Sequence, residues 1–130
     1  MKVGFIGLGV MGAPMAANIL KGGHELTVYD HSAEAVARLV KAGAKAAANP
    51  REGGAASEIV VTMLPEPQHE EQVVLGKDGL AETLPNGAIV IEMSTIDPGT
   101  SRRVGDALRA RGMELVDAPV GKTRDRKSVV

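Results

Sequence analysis

A glycine-rich turn between a short apolar run and a helical pattern constrains the fold of this chain more than any other feature. The apolar run spans residues 2–6, and Gly7-Leu8-Gly9-Val10-Met11-Gly12 follows it directly. An Ala- and Met-rich helical pattern then extends from Ala13 to Lys21. Because the pattern G-x-G-x-x-G lies between a predicted strand and a predicted helix, it predicts a dinucleotide-binding site.

The three glycines of this turn have separate predicted roles. Gly7 allows a tight turn, Gly9 lets a pyrophosphate approach the backbone, and Gly12 allows the helix to pack closely on the strand. The helix that begins near Val10 offers free backbone N–H groups and its positive dipole end to phosphate groups. Met11 lies inside the loop, where we expect it to contact the cofactor.

An acidic residue ends the second predicted strand. Asp30 follows Gly12 by eighteen residues, close to the spacing of about 20 expected for the acid that binds the adenosine ribose. A 2′-phosphate beside Asp30 would be repelled by roughly 4 kcal/mol at ~4 Å and an effective dielectric constant of ~20, before screening by solvent and salt. Since the next residue is His31 and not arginine, the sequence favours NAD over NADP, with His31 bordering the adenosine site. The alternative is that Asp30 is a solvated turn residue.

The composition excludes several functional classes. The 130 residues carry a net charge of −1 and 2% aromatic residues, so the electrostatic footprint and stacking platforms of a nucleic-acid-binding protein are missing. The absence of cysteine excludes disulfides, thiolate catalysis and cysteine zinc sites. No apolar run approaches the roughly 18 residues that span a bilayer. We therefore expect one soluble, cytoplasmic domain without nucleic-acid or membrane partners.

Strand-like apolar runs alternate with helical patterns along the chain, which predicts a parallel sheet with helices on both faces. The six predicted strands are Val3–Ile6, Leu26–Tyr29, Lys45–Ala48, Ile59–Leu64, Ala88–Ile91 and Glu114–Asp117. We expect a Rossmann-type, doubly wound α/β fold with the strand order 3-2-1-4-5-6. Ser32 and the pair Asp97-Pro98 are predicted to begin two of the helices.

Four segments fall at the carboxyl ends of predicted strands, where open α/β sheets bind ligands. They are Gly7–Gly12, Leu64-Pro65, Ser94-Thr95-Ile96 and Gly121-Lys122-Thr123. Their convergence predicts a cleft at the switch point between the first and fourth strands.

The polar segment from Glu66 to Glu71 holds His69 beside Glu70, a combination that could supply metal ligands. A solvated acidic helix face explains the same residues better, and we expect no metal site. The sequence contains no H-E-x-x-H motif and indicates no Ser-His-Asp arrangement, so no catalytic residue is identified from motifs.

Four further motifs follow the glycine turn in the order found in one known family. The segment Gly7–Asn18 resembles the β-hydroxyacid dehydrogenase family, which includes 3-hydroxyisobutyrate dehydrogenase, tartronate semialdehyde reductase and 6-phosphogluconate dehydrogenase. The resemblance covers residues 1 to about 124. It continues through Val28-Tyr29-Asp30, Thr62-Met63-Leu64-Pro65, Glu92-Met93-Ser94-Thr95-Ile96 and Asp117-Ala118-Pro119-Val120.

The resemblance implies the NAD-binding domain of an NAD-dependent oxidoreductase that acts on small β-hydroxy acids or their semialdehydes. It implies that Pro65 flanks the adenine–ribose side of the cofactor. The residues implied to contact NAD are Val10, Met11, Asp30, Leu64 and Thr95.

Most of this family follows Asp-Ala-Pro-Val with Ser-Gly-Gly, which receives the substrate carboxylate. Here Gly121-Lys122-Thr123 resembles the 3-sulfolactaldehyde reductase branch, in which the basic residue helps to hold a sulfonate. A lysine ammonium and a threonine hydroxyl suit an anionic tail, so these residues and Ser94 are predicted to bind a small anionic hydroxy acid or aldehyde. 3-Hydroxyisobutyrate and tartronate semialdehyde are the alternative substrates, and a plain loop is the alternative structure.

The resemblance also implies an acid/base lysine on the helix that follows these residues, and a second, mostly helical domain that completes the pocket and a homo-oligomer. We therefore predict a single NAD-binding domain over residues 1–124 that is truncated before the helical domain. Residues 125–130 do not resemble the family and are expected to be a non-native tail. The alternative function is a non-catalytic module that holds NAD without chemistry.

Overall fold

The computed structural model describes residues 1–55, 57–64, 67–94 and 97–118, which form a six-stranded parallel sheet with helices against both faces. The strands are β1 (Lys2–Ile6), β2 (Glu25–Tyr29), β3 (Lys45–Ala46), β4 (Ile59–Thr62), β5 (Ile89–Glu92) and β6 (Glu114–Asp117). The helices are α1 (Gly12–Lys21), α2 (Ala33–Lys41), α3 (Pro50–Ala55), α4 (Pro67–Leu75) and α5 (Pro98–Ala110). The strand order β3-β2-β1-β4-β5-β6 confirms the predicted Rossmann-type order.

Each face of the sheet carries its own apolar core, because successive strand residues point to opposite faces. On one face, Phe5 and Val28 pack with Ala16 of α1 and Leu39 of α2. On the other face, α4 and α5 cover the strands. The buried residues of this second core include Ile6, Val60, Val74, Val90, Val104 and Leu108. Burial on both faces explains why the central strands read as nearly continuous apolar runs.

The neighbouring strands β1 and β4 lead to helices on opposite faces of the sheet, and this arrangement opens the space beyond their carboxyl ends. The sequence predicted that β4 extends to Leu64, whereas the strand ends at Thr62. The Met63 N–H still donates to the Ile6 carbonyl at 2.9 Å. The Leu64 N–H instead donates to the Ser94 side chain, so the chain leaves the ladder here.

Two smaller differences concern connections between elements. The third strand ends at Ala46 and not at Ala48, which leaves β3 as a two-residue edge strand. A 3₁₀ turn over Leu80–Glu82, absent from the sequence prediction, follows α4. Leu80 and Ala81 of this turn are both buried, and two adjacent buried residues give no helical periodicity in the sequence.

Side-chain caps begin α2 and α5 where the sequence predicts them. The Ser32 hydroxyl oxygen accepts a hydrogen bond from the Ala35 N–H at 3.2 Å. The Asp97 carboxylate accepts from the Thr100 N–H at 2.9 Å and from the Thr100 hydroxyl at 2.7 Å. The two bonds hold the pKa of Asp97 below its ordinary value.

Replacing Asp97 with alanine should lower the midpoint of thermal unfolding by about 3–6 °C, because the first turn of α5 loses its cap. Thermal unfolding followed by circular dichroism measures the shift. Asp106→Ala is the matched control, since Asp106 lies on the same helix and forms only an exposed ion pair with Arg109. We expect this control to change the midpoint by no more than about 1 °C; equal shifts in the two variants would contradict the capping role.

Candidate cofactor-binding site

A cleft of about 820 Å³ lies at the carboxyl ends of β1, β2, β4 and β5. Its volume is within the range of roughly 300–1,000 Å³ that is typical of cofactor sites. The predicted site residues that line it are Gly7, Gly9, Val10, Met11, Gly12, Asp30, His31, Leu64 and Ser94. The other predicted site residues lie outside the described part of the chain; they are Pro65, Thr95, Gly121, Lys122 and Thr123.

A side chain would fit at the centre of the glycine turn but would collide with the protein backbone at either end. Gly7 has a φ of +101°, and a Cβ atom there would collide with the Met63 carbonyl group. A Cβ atom on Gly12 would collide with the Gly7 carbonyl oxygen. A Cβ atom on Gly9 would meet no atom within 4 Å. Protein packing therefore explains glycine at positions 7 and 12, while the space beside Gly9 leaves its backbone accessible to a ligand.

The N-terminus of α1 borders the cleft, and no side chain caps it. Met11 is the N-cap residue and makes no side-chain capping bond. The Gly9 carbonyl accepts the first helical hydrogen bond, from the Ala13 N–H at 3.0 Å. Val10 is 94% exposed and Met11 is 53% exposed, so both are open to contact with a bound molecule. An uncapped helix N-terminus of this kind attracts phosphate groups.

Two backbone N–H groups orient the Asp30 carboxylate at the end of β2. The Leu8 N–H donates to Oδ1 at 3.3 Å, and the Ser32 N–H donates to Oδ2 at 3.1 Å. Each carboxylate oxygen keeps a further lone pair, and Asp30 lines the cleft. The carboxylate is therefore held in place by the glycine turn and remains able to accept hydrogen bonds from a pair of ribose hydroxyls.

About half of the cleft wall comes from residues that were not among the predicted site residues. His31 packs edge-on against Tyr29, with 6.0 Å between the ring centroids. The first turn of α3 meets the loop after α4 where the Arg51 N–H donates to the Asp78 carbonyl at 2.8 Å. The additional lining residues are Tyr29, Asn49, Pro50, Met63, His69, Gln72, Val73, Lys77, Asp78 and Met93.

The Ser94 side chain joins the segments that follow β4 and β5. Its hydroxyl oxygen accepts a hydrogen bond from the Leu64 N–H at 2.6 Å. Ser94 is also buried, with 3% of its surface exposed. These contacts give Ser94 a role in positioning the cleft, and its predicted contact with a substrate remains a prediction.

Two acidic residues lie buried beneath these cleft segments. Glu70 and Glu92 are each 0% exposed, so the expectation that Glu70 belongs to a solvated acidic face is wrong. The Thr62 hydroxyl donates to Glu70 Oε2 at 3.0 Å, and the Ser101 hydroxyl donates to Glu92 Oε1 at 3.3 Å. The error arises because neighbouring residues of α4 face different environments, and Glu70 faces the sheet.

Burial raises the pKa of both carboxyl groups. For Glu70, loss of hydration is the largest effect and raises the pKa to about 7, although the hydrogen bond from the Thr62 hydroxyl acts in the opposite direction. For Glu92, loss of hydration and the negative charge of Glu70 raise the pKa to about 8, and Asp117 adds to this effect. At neutral pH the pair therefore retains a proton.

The two sequence neighbours of Glu70 on α4 have different surroundings from Glu70. Glu71 forms an exposed ion pair with Arg103 at 3.2 Å, and His69 lines the cleft. Within the described residues, no three His, Asp or Glu side chains are grouped so as to hold a metal ion. No helix in those same ranges is both long and apolar enough to cross a membrane.

A known domain family matches nearly the whole chain. The family model, described as the NAD binding domain of 6-phosphogluconate dehydrogenase, matches residues 2–127. The chain belongs to this family. It is an NAD-binding domain, and the predicted resemblance to the β-hydroxyacid dehydrogenases is confirmed.

The relatives of this chain are named as dehydrogenases and reductases. It is 45% identical over 121 residues to the 3-sulfolactaldehyde reductase of Escherichia coli (93% of this chain, 41% of the reductase). It is 46% identical over 119 residues to the NAD-dependent L-serine dehydrogenase of Pseudomonas aeruginosa (92% and 40%). A structure of Mycobacterium tuberculosis 3-hydroxyisobutyrate dehydrogenase with L-serine aligns with a TM-score of 0.82 at 30% identity (90% and 39%). The chain spans about two fifths of the length of these relatives.

The residues of the cleft fit NAD. The uncapped N-terminus of α1 and the accessible backbone of Gly9 suit a pyrophosphate. The oriented carboxylate of Asp30 suits the hydroxyls of a ribose. When bound, NAD supplies the hydride donor or acceptor at C4 of its nicotinamide ring.

Proposed function

We propose that this domain serves an NAD-dependent oxidoreductase that transfers hydride between nicotinamide C4 and the carbonyl carbon of a small β-hydroxy acid or its semialdehyde. The observation that carries the proposal is the cleft in which the glycine turn and Asp30 lie together, in a chain of this family. The domain comprises residues 1–124, the helix that follows it carries the acid/base lysine, and a helical domain completes the pocket and the contacts of a homo-oligomer. The proposed cofactor contacts are Gly7, Gly9, Val10, Met11, Gly12, Asp30, His31, Leu64, Pro65 and Thr95.

Replacing Asp30 with asparagine should abolish a preference for NAD over NADP. We expect the parent chain to bind NAD at least about tenfold more tightly, because the carboxylate repels a 2′-phosphate. Asparagine keeps an acceptor for the Leu8 N–H and loses the charge, so the two affinities should converge. Isothermal titration calorimetry with both cofactors measures the change.

Glu34→Gln is the matched control for this charge effect. Glu34 lies on α2 close to Asp30 in sequence and forms an exposed ion pair with Arg38 at 2.9 Å. Its neutralisation should leave the preference unchanged. Tighter binding of NADP than of NAD by the parent chain would show that Asp30 does not have the proposed role.

Within this substrate class, we propose that the substrate is 3-sulfolactaldehyde. Gly121-Lys122-Thr123 supports this proposal, because an ammonium and a hydroxyl provide a charge and a hydrogen bond for a sulfonate. The identity of 45% to the E. coli 3-sulfolactaldehyde reductase is compatible with this substrate but does not distinguish it from the others. The L-serine dehydrogenase at 46% supports only the broader class, in which 3-hydroxyisobutyrate and tartronate semialdehyde are the alternatives.

A chimeric enzyme tests the substrate directly. Residues 1–124 are joined to the part of the E. coli reductase that this chain does not cover, and kcat/KM is measured for 3-sulfolactaldehyde and for tartronate semialdehyde. Lys122→Ser should lower kcat/KM for 3-sulfolactaldehyde about tenfold relative to kcat/KM for tartronate semialdehyde. Lys122→Arg should leave the ratio of the two values unchanged. A higher kcat/KM for tartronate semialdehyde than for 3-sulfolactaldehyde in the chimera would reject the sulfonate.

A non-catalytic module is the second candidate function, because the motifs identify a cofactor site and no catalytic residue. Calorimetry of the 130-residue chain with NAD establishes binding, and a reductase assay of the chimera establishes turnover. Binding with turnover supports the oxidoreductase. Binding by the chain, with a folded chimera that turns over none of the class, supports the module.

A further inference from the structure

Asp78 lies in the turn that follows α4, and its backbone conformation is unusual. Among the residues that the structure describes, it is the only non-glycine residue with a positive φ, +58°. Most side chains disfavour this conformation, although aspartate and asparagine tolerate it better than others. Asp78 also lines the cofactor cleft. A strained residue at the wall of a ligand cleft points to a functional constraint.

Protein contacts fix the turn on both sides of Asp78. Its N–H donates to Glu82 Oε2 at 2.9 Å, and its carbonyl accepts a hydrogen bond from the Arg51 N–H at 2.8 Å. Arg51 and Glu82 also form an ion pair at 3.4 Å. A Cβ atom on Gly79 would lie 2.8 Å from two backbone carbonyl oxygens, so the turn is closely packed where it leaves Asp78.

The side chain of Asp78 remains available to a ligand. Both of its backbone polar groups are used within the protein. In the described part of the chain, the Asp78 carboxylate forms no ion pair. A carboxylate accepts hydrogen bonds and donates none, and a fixed backbone lowers the entropic cost of binding. The turn therefore presents a preorganised hydrogen-bond acceptor at the cleft wall.

Asp78 lies on the adenosine side of the cleft. The strand order places β3 next to β2, at whose end Asp30 is proposed to bind the adenosine ribose. Pro50, the first residue of α3, follows β3 and lines the cleft, and the bond from Arg51 holds Asp78 beside it. Because a dinucleotide crosses the sheet at the switch point between β1 and β4, its other half lies over β4 and β5. A base attached to the ribose at Asp30 therefore faces the turn that carries Asp78.

We propose that Asp78 is a specificity-determining residue for the base of the cofactor. Its carboxylate accepts a hydrogen bond from the 6-amino group of adenine. A 6-oxo purine presents an acceptor at the same position, so the hydrogen bond is replaced by repulsion between two oxygen atoms. The inference rests on the proposed binding of the adenosine ribose by Asp30 and does not require the proposed hydride transfer.

The other polar residues of the cleft wall select the base less sharply. Gln72 and the two cleft histidines can each donate and accept hydrogen bonds. The Asn49 side-chain oxygen already accepts a hydrogen bond from the Glu52 N–H at 3.0 Å. Lys77 lines the cleft as well, but an ammonium group only donates and would favour the oxo base. A preference for adenine therefore depends on Asp78.

Isothermal titration calorimetry with NAD and with nicotinamide hypoxanthine dinucleotide tests the proposal, because the two ligands differ only in the base. The parent chain should bind NAD about tenfold or more tightly than the hypoxanthine form. In Asp78→Asn the side-chain amide can accept from an amino group or donate to an oxo group, so the two affinities should agree within about threefold. Asparagine tolerates a positive φ, so this variant should preserve the turn.

Two further variants separate base recognition from a general effect of charge or of folding. Asp106→Asn is the matched control, since Asp106 lies on α5 and forms an exposed ion pair with Arg109; it should keep the preference of the parent. Asp78→Gly removes the carboxylate and relieves the backbone strain, because glycine adopts a positive φ readily. It should lose the preference for NAD without a lower midpoint of thermal unfolding.

The outcomes separate the role of Asp78 from the cofactor site itself. Equal affinities of the parent for the two dinucleotides, or tighter binding of the hypoxanthine form, would overturn the role of Asp78 and leave the cofactor site intact. A preference for NAD that persists in both Asp78 variants would overturn it as well. Failure of the folded parent to bind either dinucleotide would overturn both the cofactor site and this inference.

Discussion

Gly7→Ala is expected to lower the free energy of unfolding by more than about 2 kcal/mol, because the position combines backbone strain with a collision. The φ of +101° disfavours any L side chain, and the Cβ atom would meet the Met63 carbonyl group. That carbonyl belongs to the segment directly after β4, so relief requires the turn to move away from the sheet. Urea denaturation followed by circular dichroism measures the loss.

Gly9→Ala should leave the stability of the fold nearly unchanged and weaken the binding of NAD. Its Cβ atom meets nothing within 4 Å, so the free energy of unfolding should change by no more than about 0.5 kcal/mol. The added methyl group enters the space through which a pyrophosphate approaches the backbone, and we expect the affinity for NAD to fall about tenfold or more. Isothermal titration calorimetry with NAD measures this effect.

Gly23→Ala is the control that separates strain from collision. Gly23 has a φ of +86° with no neighbour within 4 Å and lies before β2, at the end of the sheet opposite the cleft. It should cost about 1 kcal/mol of stability and leave the NAD affinity unchanged. An unchanged NAD affinity in Gly9→Ala would show that the cofactor does not approach this backbone, and a stable Gly7→Ala would show that the turn can rearrange.

The fold was predictable because its signals are local. Ile59 to Thr62 and Ile89 to Ile91 read as buried strands, and Asp97-Pro98 marks a helix start that depends only on backbone geometry. The predicted strand ends were less accurate. Met63 and Leu64 are apolar and continue the pattern of β4, yet the chain leaves the sheet at Leu64, whose N–H donates to the Ser94 hydroxyl at 2.6 Å. That contact joins residues thirty positions apart, so no local pattern contains it.

The candidate site was predictable only where a motif encodes it. Gly7 and Asp30 lie in the cleft, because the spacing of the fingerprint reflects fixed geometry between a turn and the next strand. Asn49 and Lys77 also line the cleft, but they reach it from separate loops whose positions depend on how α3 and α4 pack. The positions of such loop residues in the sequence do not predict that they line the cleft.

The sequence contains a signal for the buried carboxyl groups, but the spacing of apolar residues does not show it. Thr62 and Glu92 end neighbouring strands that are otherwise apolar, and they are paired in register. Polar side chains at such adjacent buried positions require a partner. Glu70 on α4 is that partner for Thr62, whereas the charge pattern of its helix suggested a solvated face.

The stability of the chain should fall as pH rises from 5 to 8, since the buried pair binds protons more tightly in the folded state. The pKa of Glu70 is raised from 4.5 to about 7 and that of Glu92 from 4.5 to about 8. The stabilisation is therefore complete below about pH 4.5 and is lost as pH approaches 8. Each group contributes a slope of about −1.4 kcal/mol per pH unit between its two pKa values. Urea denaturation at half-unit pH intervals measures this slope.

In the variant Glu70→Gln, the free energy of unfolding should depend less steeply on pH, by the equivalent of about one proton. Glutamine cannot ionise, and its amide can still bond to Thr62. Loss of the Glu70 charge also removes the repulsion that raises the pKa of Glu92, so the remaining slope should be confined to lower pH. Glu71→Gln alters the exposed neighbour and should run parallel to the parent. A parent chain whose stability rises from pH 5 to pH 8 would show that both carboxyl groups are ionised in the folded state, with water or a cation reaching them.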